Sequence, residues 1–343
     1  MYFIRPVKRE DLNSLMALAN KAGDGLTTLP PDAELLGKRI DASIASFAAD
    51  LSAPNDEYYF LVMEHAETGD VVGTSAIFSS VGGTQPFYNF ATLNLTQLSN
   101  DPVKRVETKV LTLANDYTGA TELGTLFLDA DHRKPGVGRF LSRSRYMLIA
   151  TAPKRFSETV MGELRGYVDE NGRQPVWEAI GRHFFQMDFA EADRINGLGN
   201  SQFIADLMPK YPIYTCLLPQ DAQEAIGQPH PSSAPAMRLL EKEGFRFRGA
   251  VDIFDGGPCL EANRDQIKSV RGARHAKALI TDTAENEGEP MMIAHPELAR
   301  FGVVHCKGVM IAEDQLAVCS EAADALKISD GDGVMFIPDV LED

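Results

Sequence analysis

Residues 121–151, "TELGTLFLDADHRKPGVGRFLSRSRYMLIAT", restrict the fold more than any other part of the chain. Alternation in "TELGTLFLD" sets Leu123, Thr125 and Phe127 on one face and Gly124, Leu126 and Leu128 on the other. Both faces have apolar character, which predicts a central strand buried on both sides. That strand runs through the turn "RKPGVG" into an arginine-rich helix. Gly136 and Gly138 let the turn open and approach a ligand with no Cβ in the way. Unpaired amides and the positive dipole end of the helix then face outward, a nest suited to phosphate oxygens. Arg133, Lys134, Arg139 and Arg143 add mobile positive charge around it, the last two on one helix face. Taken alone, the pattern also suits an ordinary strand-to-helix junction with solvated arginines. It is not a nucleotide P-loop, because the lysine and hydroxyl that close such a loop are missing, and the spacing departs from the dinucleotide GxGxxG.

A local nest matters because the chain as a whole is acidic. With 33 Lys+Arg against 49 Asp+Glu, the formal charge of −16 argues against holding nucleic acid or an anionic membrane by long-range attraction. Any anionic ligand has to be gripped locally. At 343 residues the chain exceeds what one core usually fills, so at least two packed units are expected. The four cysteines, Cys216, Cys259, Cys306 and Cys319, form no CxxC pair and read as reduced, mostly buried thiols rather than a disulfide framework or zinc site. "MYFIRPVKREDL" has no apolar signal core, and no run reaches the ~18 apolar residues of a membrane span. A cytoplasmic protein without metal is the expectation.

Along the chain, periodicity predicts a short strand, a helix bearing Leu12, Leu15, Met16 and Ala19 on one face, and a second helix from about Asp32 to Phe47. "YYFLVMEHAETGDVVGTSAIFSS" reads as a hairpin turning at Thr-Gly-Asp. "ETVMGELRGYV" reads as a strand, "QPVWEAIGRHFF" as a helix, and "SSAPAMRLLEKEGFRFRGAVDIFDGG" as a helix closed by Gly244 and followed by strands. "PVWEAIGRHFFQMDF" and "PAMRLLEKEGFRFRGAVDIF" share an order of proline, helix, glycine and aromatic strand, which suggests a repeated α/β unit. "TDTAENEGEP" reads as a linker before a small β-rich tail, whose apolar runs "VMIAEDQLAV" and "GVMFIP" need cover from an assembly partner or from their own chain.

An RxxGxG turn between a central strand and a helix resembles the pyrophosphate-binding turn of the GNAT superfamily of acyl-CoA-dependent N-acyltransferases. The blocks "IRPV", "GLTTLP", "TGATELGTLFLD", "ELRGYVDENGRQPVWEAIGRHFFQMDF", "LMPKYPIYTCLL", "IGQPHPSSAP" and "AVDIFDGGP" make the resemblance closer. Together they are similar to the arginine N-succinyltransferase family from Met1 to about Arg274. Gly124 stands where that family is expected to have cysteine, and Pro229 where it is expected to have an aliphatic residue.

The resemblance implies an α+β fold: a GNAT-like mixed sheet flanked by helices, in two GNAT-like halves, with a small β-rich C-terminal segment. The expected domains are 1–200 for acyl-CoA binding, 201–276 for a second α/β unit completing the active site, and 277–343 for the linker and tail. The implied reaction joins the α-amine of L-arginine to the succinyl group of succinyl-CoA, a co-substrate, with no tightly bound cofactor. The coenzyme would be held by Leu126, whose backbone contacts it, and by Arg133, Gly136, Val137, Gly138 and Arg139. His230, fixed between two prolines, matches the family's proposed proton donor, whereas His132 and His183 read as solvated or helix-facing. For substrate arginine, Glu163 with Arg165 and Asp255 are the candidates beside Asp252, although Asp255 also suits a turn and the Glu163/Arg165 pair a same-face ion pair. Ornithine as substrate, and a regulatory subunit of a heteromer, are the competing readings. A homo-oligomer, or a heteromer with a paralogous subunit, is expected.

Overall fold

A computed structural model describes the chain except residues 24, 25, 27, 198–200, 282 and 340–343, so "GLTTLP" and the linker lie partly outside it. β1 (Tyr2–Pro6) leads to α1 (Leu12–Ala22), which stops at Gly23 with φ 70°. α2 (Ala33–Ala48) is opened by Asp32, whose carboxylate accepts the Leu35 amide at 2.9 Å and satisfies one of the orphan donors of the first turn. β2 (Tyr58–His65) and β3 (Val71–Phe78) form the expected hairpin, and β4 (Asn89–Asn100) with β5 (Val103–Ala114) form a second, longer one. Then come β6 (Thr121–Leu128), α3 (Val137–Thr151) and β7 (Thr159–Glu163). A wide π-type turn at Trp177–Gly181 runs into α4 (Arg182–Phe185), followed by α5 (Phe189–Gly197), α6 (Gln202–Leu207), β8 (Ile213–Tyr214) and α7 (Gln220–Ala225). α8 (Ala234–Glu243) is closed by Gly244 at φ 104°, and β9 (Arg246–Asp252) and β10 (Pro258–Asn263) follow. The last elements are α9 (Lys268–Arg271), β11 (Arg274–Ile280), α10 (Thr283–Glu287), β12 (Glu289–Ala294), β13 (Val303–Ala312), β14 (Gln315–Val318), α11 (Ser320–Leu326) and β15 (Gly333–Pro338).

Two compact units emerge, each from separate stretches of chain: 1–79, 123–158 and 264–343 in unit 1, and 80–122 and 159–263 in unit 2. In unit 1, α1 and α2 cover one face of the sheet, with Leu15, Leu18, Leu36 and Ile40 packed among Phe60 and Val62. Each such side chain contributes on the order of 1.5–3 kcal/mol by leaving water. The C-terminal strands close on themselves in the order β12-β15-β11-β14-β13, with β13 returning to β12. β13 also pairs antiparallel with β1, Phe3 opposite Val304 and Ile4 opposite Val303. The apolar runs of the tail are thus covered by their own chain: Leu316, Val318, Val334 and Phe336 fill the barrel. The segment read as a linker is instead α10 and the start of β12.

In unit 2 the strand order is β7-β10-β9-β4-β5-β8. Its core is aromatic, with Trp177 fully buried and stacked on Phe185 at 5.5 Å and 4° between planes. After Trp177, Phe185 and Phe189 lie in helices and pack on this cluster, whereas after Gly244 the chain enters β9, with Phe247 on the strand. The two segments with a shared sequence order are therefore not copies of one structural unit. Of the cysteines, Cys259 and Cys319 are buried, Cys306 is half-buried and Cys216 is exposed, and all four are reduced. Among the described residues no helix is long and apolar enough to cross a membrane.

Candidate active site

β6 is covered on one face rather than two: Thr121, Leu123 and Thr125 are buried, and Glu122, Gly124 and Leu126 are half-buried. Its backbone breaks from regular extension at Thr125, where φ is 54°. A β-branched residue in this left-handed region carries strain of about 1–3 kcal/mol. Thr74 holds it there, donating from Oγ1 to the Thr125 carbonyl at 2.8 Å, and the Tyr58 hydroxyl lies 3.3 Å from Thr125 Oγ1. Leu126 is the next residue. The departure at Gly124 has a steric reason, since a Cβ there would meet Phe78 Cε2 at 3.1 Å.

The turn after β6 has the form read from the sequence. Gly136 takes φ 86° as the residue before α3, a conformation that disfavours any side chain, and Val137 and Gly138 begin the helix. The Val137 amide turns back to the Lys134 carbonyl at 3.2 Å, and the Phe140 amide reaches the Gly136 carbonyl at 2.8 Å. Among the described residues the amides of Gly136, Gly138 and Arg139 donate to no main-chain carbonyl. They are the unpaired donors of a helix start. Arg133 is exposed, its Nε donating to the Leu128 carbonyl at 3.0 Å, and Lys134 is exposed beside it.

Arg139 and Arg143 are not the mobile charges expected. Arg139 Nη2 donates to Asp339 at 2.9 Å, and Arg143 pairs with the other oxygen of the same carboxylate while its Nε donates to Ser269 Oγ at 3.0 Å. His305 Nε2 lies 2.8 Å from Asp339 as well. Asp339 is 4% exposed. Burial alone would raise its pKa, but His305, Arg143 and Arg139 outweigh that and hold it below the usual carboxylate range. A buried anion from the C-terminal segment thus fixes the helix that follows the turn, a role for Asp339 that no local sequence pattern signals.

In unit 2, His230 is pinned by its neighbours. Its amide donates to the Arg165 carbonyl at 2.7 Å, which serves the single bridge between Gly166 and Pro229 without calling on an N–H from the proline. The Ser232 amide donates to His230 Nδ1 at 3.1 Å, and Ser232 Oγ lies 2.6 Å from the same nitrogen. With Nδ1 accepting, the neutral ring carries its hydrogen on Nε2. Burial first, and then the charge of Arg165, lower its pKa, with Asp255 opposing.

β7 ends at Glu163, so Arg165 lies beyond the strand and exposed, not beside Glu163 on a strand face. Glu163 faces acids instead. Burial, then the charges of Glu122 and Asp255, push its carboxyl up to about 8, against hydrogen bonds from Cys259 and Asp252. Cys259 Sγ lies 3.7 Å from Glu163 Oε1. Asp252 is raised too, by burial and then by Asp255 and Glu163, and Asp193 rises to about 6 through burial and Asp255. Asp255 shapes a turn: its carboxylate accepts the Gly166 amide at 2.7 Å and the Gly257 amide at 2.8 Å. Gly257 admits no Cβ, which would stand 2.0 Å from the Leu164 carbonyl. His132 meets the Tyr2 hydroxyl at 3.1 Å in unit 1, and His183 is exposed. Sequence reading did not assign Glu122, Asp193 or Cys259 to the site: Glu122 lies within "TGATELGTLFLD" without drawing notice, and no local acid spacing links the three.

A mixed α+β fold with a strand, a left-handed glycine and a helix start of unpaired amides, and an imidazole held in one tautomer, has the parts of an acyltransferase. Comparison with known proteins makes this specific. Residues 2–269 match the family described as AstA, arginine N-succinyltransferase beta subunit. The arginine N-succinyltransferases of Escherichia coli (strain 55989 / EAEC) and Shigella flexneri serotype 5b are each 42% identical over 337 residues, 98% of this chain and 97% of theirs. The solved structure of arginine/ornithine succinyltransferase subunit AI from Pseudomonas aeruginosa is 35% identical with a TM-score of 0.88, covering 98% of both chains. The chain belongs to the arginine N-succinyltransferase family.

Proposed function

We propose that this protein transfers the succinyl group of succinyl-CoA to the α-amine of L-arginine, giving N2-succinyl-L-arginine and coenzyme A, the opening step of arginine breakdown. The observation that carries this reading is the 42% identity, over 98% of the chain, to relatives named arginine N-succinyltransferase. The neutral amine forms the new C–N bond, the C–S bond breaks, and the nitrogen gives up a proton as the thiolate gains one. The pyrophosphate would rest on the free amides at Gly136, Gly138 and Arg139, with Arg133 at its edge and Val137 starting the helix behind it. Leu126 would offer its backbone to the thioester beside the strained Thr125, worth on the order of 3 kcal/mol if that contact stabilises the oxyanion.

By the family resemblance His230 would be the proton donor for the leaving thiolate, a role its Nε2–H suits because Nδ1 is taken by Ser232. Arg165 is the exposed cation beside it and suits a substrate carboxylate, whereas Asp255, with both oxygens engaged by amides, is reassigned from arginine binding to holding the loop. The protein would act in the cytoplasm as an oligomer. Leu98 and Val103, 75% and 87% exposed at the tip of the β4–β5 hairpin, support association with another subunit.

A thiol-release assay with purified protein, comparing succinyl-CoA with acetyl-CoA and L-arginine with L-ornithine, tests the reading. Release confined to acetyl-CoA, or none with L-arginine, rejects it. The Pseudomonas aeruginosa relative favours a second reading, since its description names both arginine and ornithine and calls it a subunit. Equal turnover of the two amines, or activity only on mixing with a paralogous chain, would establish that alternative.

A further inference from the structure

Three registers bring one set of side chains to a single face of the unit 2 sheet. Glu163 stands opposite Cys259 on β7 and β10, and Glu122 opposite Met161 on β6 and β7. Directly paired residues, and residues two apart on one strand, project to the same face. Glu122, Glu163 and Cys259 therefore share it. Asp252 joins them through its hydrogen bond with Glu163. Opposite Asp252, on β4, stands Asn89.

Asn89 is fully buried, and among the described residues neither Oδ1 nor Nδ2 has a hydrogen-bond partner. A buried primary amide left unpaired is costly, and groups of this kind call for an explanation. The carboxyls beside it tell the same story from the opposite charge: the strongest influences on Glu163 and Asp252 are other acids and burial, with no cation among them. Both remain half-buried, within reach of a small molecule.

We propose that this face, with Glu163, Asp252 and the Asn89 amide oxygen as its acceptors and Glu122 at its edge, recognises the guanidinium of the amine substrate. This rests on the acyl-transfer reading and adds the residues that select the side chain. A guanidinium is planar, remains charged, and presents five N–H donors in a fork that can engage a carboxylate and an amide at once. An ammonium has three donors on one point charge and leaves more of these acceptors unmet. The arrangement thus favours arginine over ornithine. Binding the cation also forces the shared proton off the Glu163/Asp252 pair, on which Glu122, Asp255 and Cys259 bear, while Asp193 and His230 act on Asp255, and Arg165 acts on Asp193 and His230.

Calorimetric titration of the full chain with coenzyme A, and then with L-arginine or L-ornithine, at pH 7 in two buffers of different ionisation enthalpy tests this. Wild-type protein is expected to release protons on binding L-arginine. Glu163→Gln, which keeps the side-chain shape, and Asn89→Leu, which removes the unpaired amide and should hold or raise Tm, are each expected to weaken L-arginine binding about 10-fold or more. L-ornithine binding should change less, and coenzyme A binding not at all. Wild-type protein that binds no coenzyme A overturns the acyl-transfer reading and this assignment with it. Wild-type protein that binds both ligands, while both variants keep its affinity for L-arginine or lose L-arginine and L-ornithine equally, overturns this assignment alone.

Discussion

Asp339 and Arg139 meet at 2.9 Å, tying the last strand's end to the first turn of the helix that begins at Gly136 and Val137. Arg143 and His305 share the same carboxylate. Removing one member of a buried ion group leaves the others uncompensated, which costs more than the group's net contribution. Asp339→Asn is expected to lower unfolding free energy by about 3 kcal/mol, read by urea titration, and to weaken coenzyme A binding. Because the folded-state pKa is depressed, this stabilisation is present above the ordinary carboxylate pKa and lost as pH falls through the lower folded value. An acid titration of wild type and Asp339→Asn should therefore converge at low pH.

Gly136 and Gly138 should separate backbone strain from ligand contact. Gly136 has open space around its missing Cβ but a φ of 86°, so Gly136→Ala is expected to cost about 1–2 kcal/mol and Gly136→Asp to abolish coenzyme A binding as well. At Gly138 the nearest atom to a Cβ is 4.0 Å away, so Gly138→Ala should leave Tm unchanged while weakening the coenzyme. Equal Tm losses at the two positions would contradict this.

His230→Ala is expected to slow kcat by ~100-fold or more with coenzyme A affinity retained. His230→Gln restores an N–H near Nε2 without a titrating ring. If the hydrogen bond is what matters, this variant recovers part of the rate and its pH profile is flat.

Glu163 holds a proton in the folded protein that the unfolded chain releases above about 4.5, and keeps it up to about 8. Between those values the native state binds more protons, so stability falls as pH rises. In thermal melts from pH 5 to 8 without substrate, Glu163→Gln should flatten this fall. An unchanged slope would mean that Asp252 alone holds the proton.

The geometry of the turn at Gly136 was legible because it is local: a strand, two glycines and a helix start within a few residues leave few conformations. The resemblance singled out His230 between two prolines, but not its tautomer, since that depends on the Ser232 amide. Long-range pairing hid the rest. Nothing near Arg139 announces Asp339, and nothing near Glu163 announces Asn89 or Cys259, because sheet register joins residues far apart in sequence. "TDTAENEGEP" read as a linker for a related reason: its acidic and glycine residues suggested flexibility, while the barrel that orders α10 and the start of β12 is visible only once β13 meets β12.

The pairing of β1 with β13 has a consequence for how this polypeptide is made. The opening strand leaves the ribosome almost a full chain ahead of Val303 and Val304, the residues that cap its flank. Until they arrive, nascent unit 1 presents bare amides and carbonyls along Phe3 and Ile4, a hazard for sticking to other newly made chains. Premature termination anywhere upstream of β13 would make that exposure permanent.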